Sequence, residues 1–177
     1  MTAEERRKKI LAELKKSNVA VSAAALAKKY GVSRQIVVGD IALLRARGED
    51  IVATPRGYII SSEGEKEMDG GLIKTIACIH SGEQMQAELN ICVDNGCSVL
   101  DVIVEHPLYG QLTGPLQIKS RYDVSQFVSK AKELDAHALS ELTNGLHLHT
   151  LLCPDEAAYE RVCETLEDEG ILLKVQD

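Results

Sequence analysis

The amino-acid sequence predicts an α+β protein, a winged helix-turn-helix followed by a split-βαβ α/β sandwich that serves as a ligand-binding domain. Three observations predict it. Residues 1–60 hold three short amphipathic segments with capping residues, then two apolar runs around a Pro-Gly turn. From residue 72 the pattern alternates as β-α-β-β-α-β, with an α-β extension. The charge also reverses: residues 1–60 carry 12 Lys and Arg against 6 Asp and Glu, whereas the rest carries 8 against 21. A basic block suits a polyanion and an acidic block is repelled by one, so the two halves have different partners.

The first element spans residues 4–16, with Ile10, Leu11 and Leu14 on one face and Lys and Arg on the other. Ser22 caps a second helix, Ala23 to Tyr30, and Gly31 stops it. Ser33 caps a third, to about Arg47, whose Val37, Ile41 and Leu44 face inward, and Gly48 ends it. Two helices around Gly31-Val32-Ser33 form a helix-turn-helix. Residues 50–53 and 58–60 flank the turn Thr54-Pro55-Arg56-Gly57 and form the wing. A polar, Gly-rich stretch at 62–71 reads as a linker between a domain at 1–61 and one at 72–177.

In the second domain, strands are expected at 72–80, 98–106, 116–122, 146–152 and 171–175. Helices are expected from a Ser81-Gly82-Glu83-Gln84 capping box to about Asn95, from Asp123 to about Leu134, and over 155–169. Residues 107–114 read as a turn-rich connection.

No apolar run approaches a membrane span, and the charged opening at residues 1–9 is unlike a signal peptide, so a cytoplasmic protein is expected. Five cysteines without CxxC spacing read as reduced, small core residues.

The third helix carries the expected DNA chemistry. Its first turn presents Arg34, Gln35 and Val38, suited to guanine, adenine and a thymine methyl. Lys28, Lys29, Arg45 and Arg47 are placed for phosphates, and Arg56 on the wing for the minor groove. One winged helix reads few base pairs, so a homodimer on two-fold symmetric double-stranded DNA is expected. Gly39 is out of place in a helix interior, where glycine costs roughly 1 kcal/mol.

All five histidines lie in the acidic domain. His147 and His149, two apart on a strand, share a face; they are either an exposed pair or two ligands of a transition metal. His80 ends the first strand, and Glu88 lies at the edge of the Met85, Leu89, Cys92 stripe, able to point inward. His106, before Pro107, is a strand-end hydrogen-bonder or a ligand contact, and His137 is placed on the surface. Gln117, Lys119 and Arg121 fall on one face of the expected third strand, which is either solvated or, through Lys119 or Arg121, paired with a ligand carboxylate.

These segments together resemble a known family, the nicotinate-responsive transcription repressors with an N-terminal winged helix and a C-terminal three-histidine domain. The resemblance runs over nearly the whole chain. It is carried by Val32-Ser33-Arg34-Gln35, residues 40–45, Ile79-His80-Ser81-Gly82, residues 105–110 and Gly145-Leu146-His147-Leu148-His149. It implies repression of genes for nicotinate uptake and NAD biosynthesis, with nicotinate as co-repressor rather than substrate. It also implies one divalent metal per chain at His80, Glu88, His147 and His149, with nickel or zinc ahead of iron or manganese. His106, Arg121 and Lys119 are the expected effector contacts. Two other classes stay open: a repressor that senses the metal itself, and a metalloenzyme that activates water.

Overall fold

The computed structural model describes residues 1–61, 67–68 and 70–174. Its order is α1 (Ala3–Lys16), α2 (Ala23–Tyr30), α3 (Arg34–Ala46), β1 (Ile51–Thr54), β2 (Gly57–Ile60), β3 (Glu67–Met68), β4 (Gly71–Ile79), α4 (Met85–Asp94), β5 (Ser98–His106), β6 (Gly110–Ile118), α5 (Arg121–Glu133), β7 (Leu146–Cys153) and α6 (Glu156–Asp168).

The first three helices start where their caps dictate. Thr2 and Glu5 make a reciprocal capping box, and the Ser22 and Ser33 hydroxyls accept from the backbone N–H groups of Ala25 and Ile36. Gly31 ends α2 at φ +66. Ile10, Leu14, Leu26, Val37, Ile41 and Leu44 close one core with Ile51 and Tyr58 of the β1–β2 hairpin. A buried ion pair crosses it: Asp40 accepts from Arg6 Nε at 2.5 Å and Arg7 Nη1 at 3.4 Å.

The second sheet has the order β3-β4-β7-β5-β6, with every neighbouring pair antiparallel. β4 and β5 are therefore parallel, joined through α4, with β7 inserted between them. This is the split-βαβ arrangement. Helices α4, α5 and α6 cover one face over a core that includes Ile76, Leu89, Val99, Val124, Leu151 and Val162.

The other face is covered by the first domain. Val38 and Ala42 of α3 pack against Ala77, Ile103, Leu146 and Leu148. The expectation that Val38 faces solvent is overturned, since its residue is only 9% exposed. Arg45 is likewise drawn in, donating from Nη2 to Gln111 Oε1 at 2.8 Å. The Tyr58 hydroxyl donates to Glu105 at 2.6 Å, and Arg34 Nη2 lies 4.0 Å from the same carboxylate. Gly110 comes so close to the wing that a Cβ there would lie 2.7 Å from the Thr54 carbonyl carbon.

Several boundaries differ from the sequence reading. β6 begins at Gly110, inside the stretch read as a connection, because Pro107–Tyr109 suffices to turn the chain. It ends at Ile118, so Lys119 and Arg121 are off the strand. The Ser120 hydroxyl caps α5, and Asp123, read as the cap, instead accepts from the Lys119 N–H inside the first turn. Gln117 sits at φ +53 where the β5–β6 register slips, so these three residues share no strand face. Ser81 makes no side-chain cap; a 3₁₀ turn, Gly82–Gln84, precedes α4. β3 and the start of β4 fall within the stretch read as linker, and residues 62–66 of it lie outside the described residues. The expected last strand is a single bridge, Leu172 to Cys78, and Val175 lies outside the described residues.

Asp40→Ala leaves the Arg7 guanidinium, 2% exposed, without its cross-helix carboxylate. Removing one partner of a buried pair costs about 3–5 kcal/mol. The unfolding midpoint of the N-terminal domain in urea is expected to fall accordingly, and an unchanged midpoint would show that the pair is not structural.

Candidate metal centre and DNA-reading face

Side chains alternate along a strand, so His147 and His149 project together from β7. Pairing with β4 sets Cys78 opposite His147 and Ile76 opposite His149, all on the face beneath α4. His80 follows β4 by one residue and continues the Cys78 side. From the first turn of α4, Glu88 drops onto this face and is 1% exposed. Its carboxylate receives three imidazoles: His80 Nε2 at 2.5 Å, His147 Nε2 at 2.8 Å and His149 Nε2 at 3.2 Å. All four residues the sequence nominated thus converge on one buried point.

Backbone carbonyls fix how the rings present themselves. Nδ1 of His80 faces Ser81 O, that of His147 faces Gly145 O at 2.8 Å, and that of His149 faces Asp101 O at 2.7 Å. A carbonyl only accepts, so each Nδ1 carries a proton and donates it; an imidazole bonded to the Glu88 carboxylate also carries one on Nε2, and loss of that proton would turn an electron pair toward the centre. Metal-ligating histidines are commonly oriented by such outer hydrogen bonds. The Asp101 carbonyl is free to do this because the β5–β7 register shifts between Val99 and Ile103.

Burial works against the charged forms here. It pushes Glu88 up, but the charge of His149 and the hydrogen bonds from His147 and His80 outweigh it, holding the carboxyl well below its usual range. Burial likewise pushes His80 and His149 down, and the Glu88 carboxylate outweighs it to raise both. The centre gathers positive charge around one carboxylate. His149 Nε2 is buried and, despite its closeness to Glu88, makes no hydrogen bond among the described residues. An orphaned donor beside two imidazoles and a carboxylate fits a divalent transition metal. Sequence reasoning missed Cys78, which lies with Glu88 and His147 in a cluster whose ligand atoms are all within 4.8 Å of one another. The signal was there, since Cys78 precedes His80 by two residues.

The expected effector contacts are not gathered at this centre. Arg121 makes a two-point pair with Asp94 on the exterior. Lys119 is exposed, and His106 Nδ1 accepts from the N–H groups of Leu108 and Tyr109 in the hairpin it opens. His137 is exposed beside Glu141. On the DNA side, Arg34, Gln35, Lys28 and Arg56 are exposed, Lys29 pairs with Glu13, and Arg47 with Glu4. Between α3 and the sheet lies a cavity of about 190 Å³ lined by Arg34, Gln35, Arg45, Glu105 and Thr143 among others.

Comparison with known proteins accounts for both halves. Residues 6–59 match a helix-turn-helix (HTH) domain and residues 73–175 match the 3H domain. The chain is 43% identical to "Transcription repressor NadR" of Bacillus subtilis, over 96% of this chain and 93% of that protein. It is 41% identical to "Probable transcription repressor NiaR" of Thermotoga maritima, over 97% and 95%. The chain belongs to the NadR/NiaR family of transcription repressors. As a NadR/NiaR-type repressor it carries a DNA-binding helix-turn-helix, for which double-stranded DNA is the partner. Among the described residues no helix is long and apolar enough to cross a membrane.

One glycine of this NadR/NiaR chain holds two of the histidines in place. Gly145 sits at φ +91, and a Cβ on it would lie 2.3 Å from the His80 carbonyl oxygen. Its own carbonyl accepts from His147 Nδ1. Gly145→Ala must therefore displace His80 or His147 and hold a left-handed non-glycine residue, a strain of about 1–3 kcal/mol. Thermal denaturation is expected to register that loss, accompanied by weaker retention of added zinc. A variant matching wild type in both would mean that the His80–Gly145 contact sets nothing.

Proposed function

We propose that this protein is a cytoplasmic, homodimeric, metal-containing repressor that binds operator DNA when nicotinate is present and thereby controls genes for nicotinate uptake and NAD biosynthesis. The observation that carries the reading is the convergence of three Nδ1-anchored imidazoles and Glu88 on one buried point, on the sheet whose opposite face packs α3. The names of the two relatives support repression, and the family resemblance supports nicotinate as the effector.

His80, Glu88, His147 and His149 would hold the ion, with nickel or zinc favoured by three nitrogen donors and one oxygen. Bound there, the metal supplies a Lewis-acidic point for a pyridine nitrogen. The protein's own residues orient the donors and exclude water. Arg34, Gln35 and the wing residue Arg56 read DNA, with Lys28 on phosphates. The effector works by preferring one arrangement of the two domains, since a ligand that binds both equally shifts nothing.

Elemental analysis should find about one divalent ion per chain, lost from a His147→Ala/His149→Ala double variant. Titration of the loaded protein should show nicotinate binding at least tenfold more tightly than nicotinamide, which lacks the charge worth about 1.5–3 kcal/mol in a charge-assisted hydrogen bond. Operator binding should then need metal and nicotinate together. Binding driven by metal alone would make this a metal sensor instead, and full metal content in the double variant would remove the site.

A further inference from the structure

The Cys78 thiol belongs to none of the expected ligands, yet it is 0% exposed and faces the same centre. Its Sγ, a Glu88 oxygen and a His147 nitrogen all lie within 4.8 Å of one another. Bonds of roughly 2.0–2.3 Å place two donors on one ion at most roughly 4–4.6 Å apart, so these atoms need only sub-ångström adjustment to share one. The register that sets Cys78 opposite His147 places both side chains on one face by strand geometry alone. The second, independent sign of a ligand is His149 Nε2, buried, aimed at the same point and without a hydrogen-bond partner.

The geometry points to Cys78 as a sulfur ligand of the bound metal, beside Glu88 and His147. This inference rests on the metal reading above and deepens it. Coordination replaces the S–H bond by an S–metal bond, and the proton leaves to solvent. Its consequence is selectivity. A thiolate favours zinc, nickel or cobalt, whereas an all-oxygen and nitrogen set would be more tolerant of manganese or magnesium. Among the described residues no other cysteine joins two His, Asp or Glu side chains in a cluster this tight.

The test is to load the full-length protein with cobalt(II) and record its spectrum and metal content. Wild type is expected to show a near-ultraviolet thiolate-to-cobalt band and a sulfur scatterer in cobalt X-ray absorption, the latter requiring no variant. Cys78→Ser and Cys78→Ala should each lose the band and bind cobalt at least tenfold more weakly, in the range that lost supporting groups cost metal sites. Stoichiometric cobalt without sulfur in the wild type would overturn the Cys78 assignment while leaving the metal reading standing. No retained cobalt would overturn both.

A different observation carries a second inference. An α-helix is about 10–12 Å across and the major groove about 12 Å wide, so a helix lying in the groove has no room for a sheet on its outward side. The outward side of α3, through Val38 and Ala42, is occupied by β4, β5 and β7. Glu105, from the acidic domain, stands beside Arg34 and accepts from Tyr58 of the wing, where a DNA phosphate would otherwise bring negative charge. We infer that the docked arrangement is a self-inhibited state, in which the 3H sheet covers the reading helix and DNA binding requires the two domains to part.

Two substitutions at the dock test this while leaving every residue of α3 and the wing unsubstituted. Gly110→Val drives a side chain into the Thr54–Pro55 backbone, and Ile103→Asn places an amide against Val38 and Ala42. In the absence of nicotinate, each is expected to bind a DNA duplex at low salt at least tenfold more tightly than wild type. Equal or weaker binding by both would overturn the inference.

Discussion

The alternation of side chains along β7 is the constraint on which the rest of the molecule depends. Leu146 and Leu148 face one way, onto Val38 and Ala42 of the reading helix. His147 and His149 face the other, onto Glu88. The strand is central, between β4 and β5, so both of its edges are paired, and helices cover both of its faces, which fixes its register from two sides. A slip of one residue would put imidazoles against α3 and leucines against a buried carboxylate. The His80–Glu88–His147–His149 cluster and the reading helix therefore share a wall one strand thick.

On the proposed function, that proximity would give a physical route from ligand to DNA without a long chain of intermediates. A change in β7's position of a few tenths of an ångström is felt directly by the side chains packed on α3, because close-packed interiors transmit strain rather than absorb it. Polar contacts supplement this apolar dock. Gln111 engages Arg45, and the Tyr159 hydroxyl lies 3.2 Å from Ala46 O at the end of α3 and 3.1 Å from Thr75 O of β4. Burial raises Glu105, against the pull of its bond from Tyr58 and of Arg34 and Arg45, so its charge costs something to hold there. Charge drawn from solvent in this way makes a dock that holds but can release.

Much of this was legible in the sequence for local reasons. Ser22, Ser33 and Gly31 mark helix ends through hydrogen bonds made within a few residues, and the winged helix followed from them. The His147–His149 pair was legible because a period of two needs no tertiary information, and Glu88 because its place relative to Leu89 and Cys92 puts it on the inward side of its helix. Arg121 was misplaced since a strand pattern through Ile118 runs into Ser120-Arg121-Tyr122-Asp123, where the Ser120 cap and the Asp123 side chain start a helix. Val38 was read as exposed because an apolar residue on the outer face of a reading helix suits a thymine methyl; in the folded protein the second domain covers it. Asp101 was missed because its role comes from its carbonyl at a register shift, which no side-chain pattern announces.

The double duty of α3 bears on how such a repressor can evolve. Val38, Ala42 and Arg45 are among the positions through which a winged helix would ordinarily acquire a new recognition sequence, yet here they also close the joint to the 3H domain. A substitution that suits a new base pair changes the closing free energy as well and, on the proposed function, would change the effector concentration at which the protein responds. Target preference and set point are thus inherited together. Divergence in one is expected to be accompanied by compensating exchange at Ile103, Gln111 or Leu148, so that paralogues serving different operators should differ on both sides of this joint.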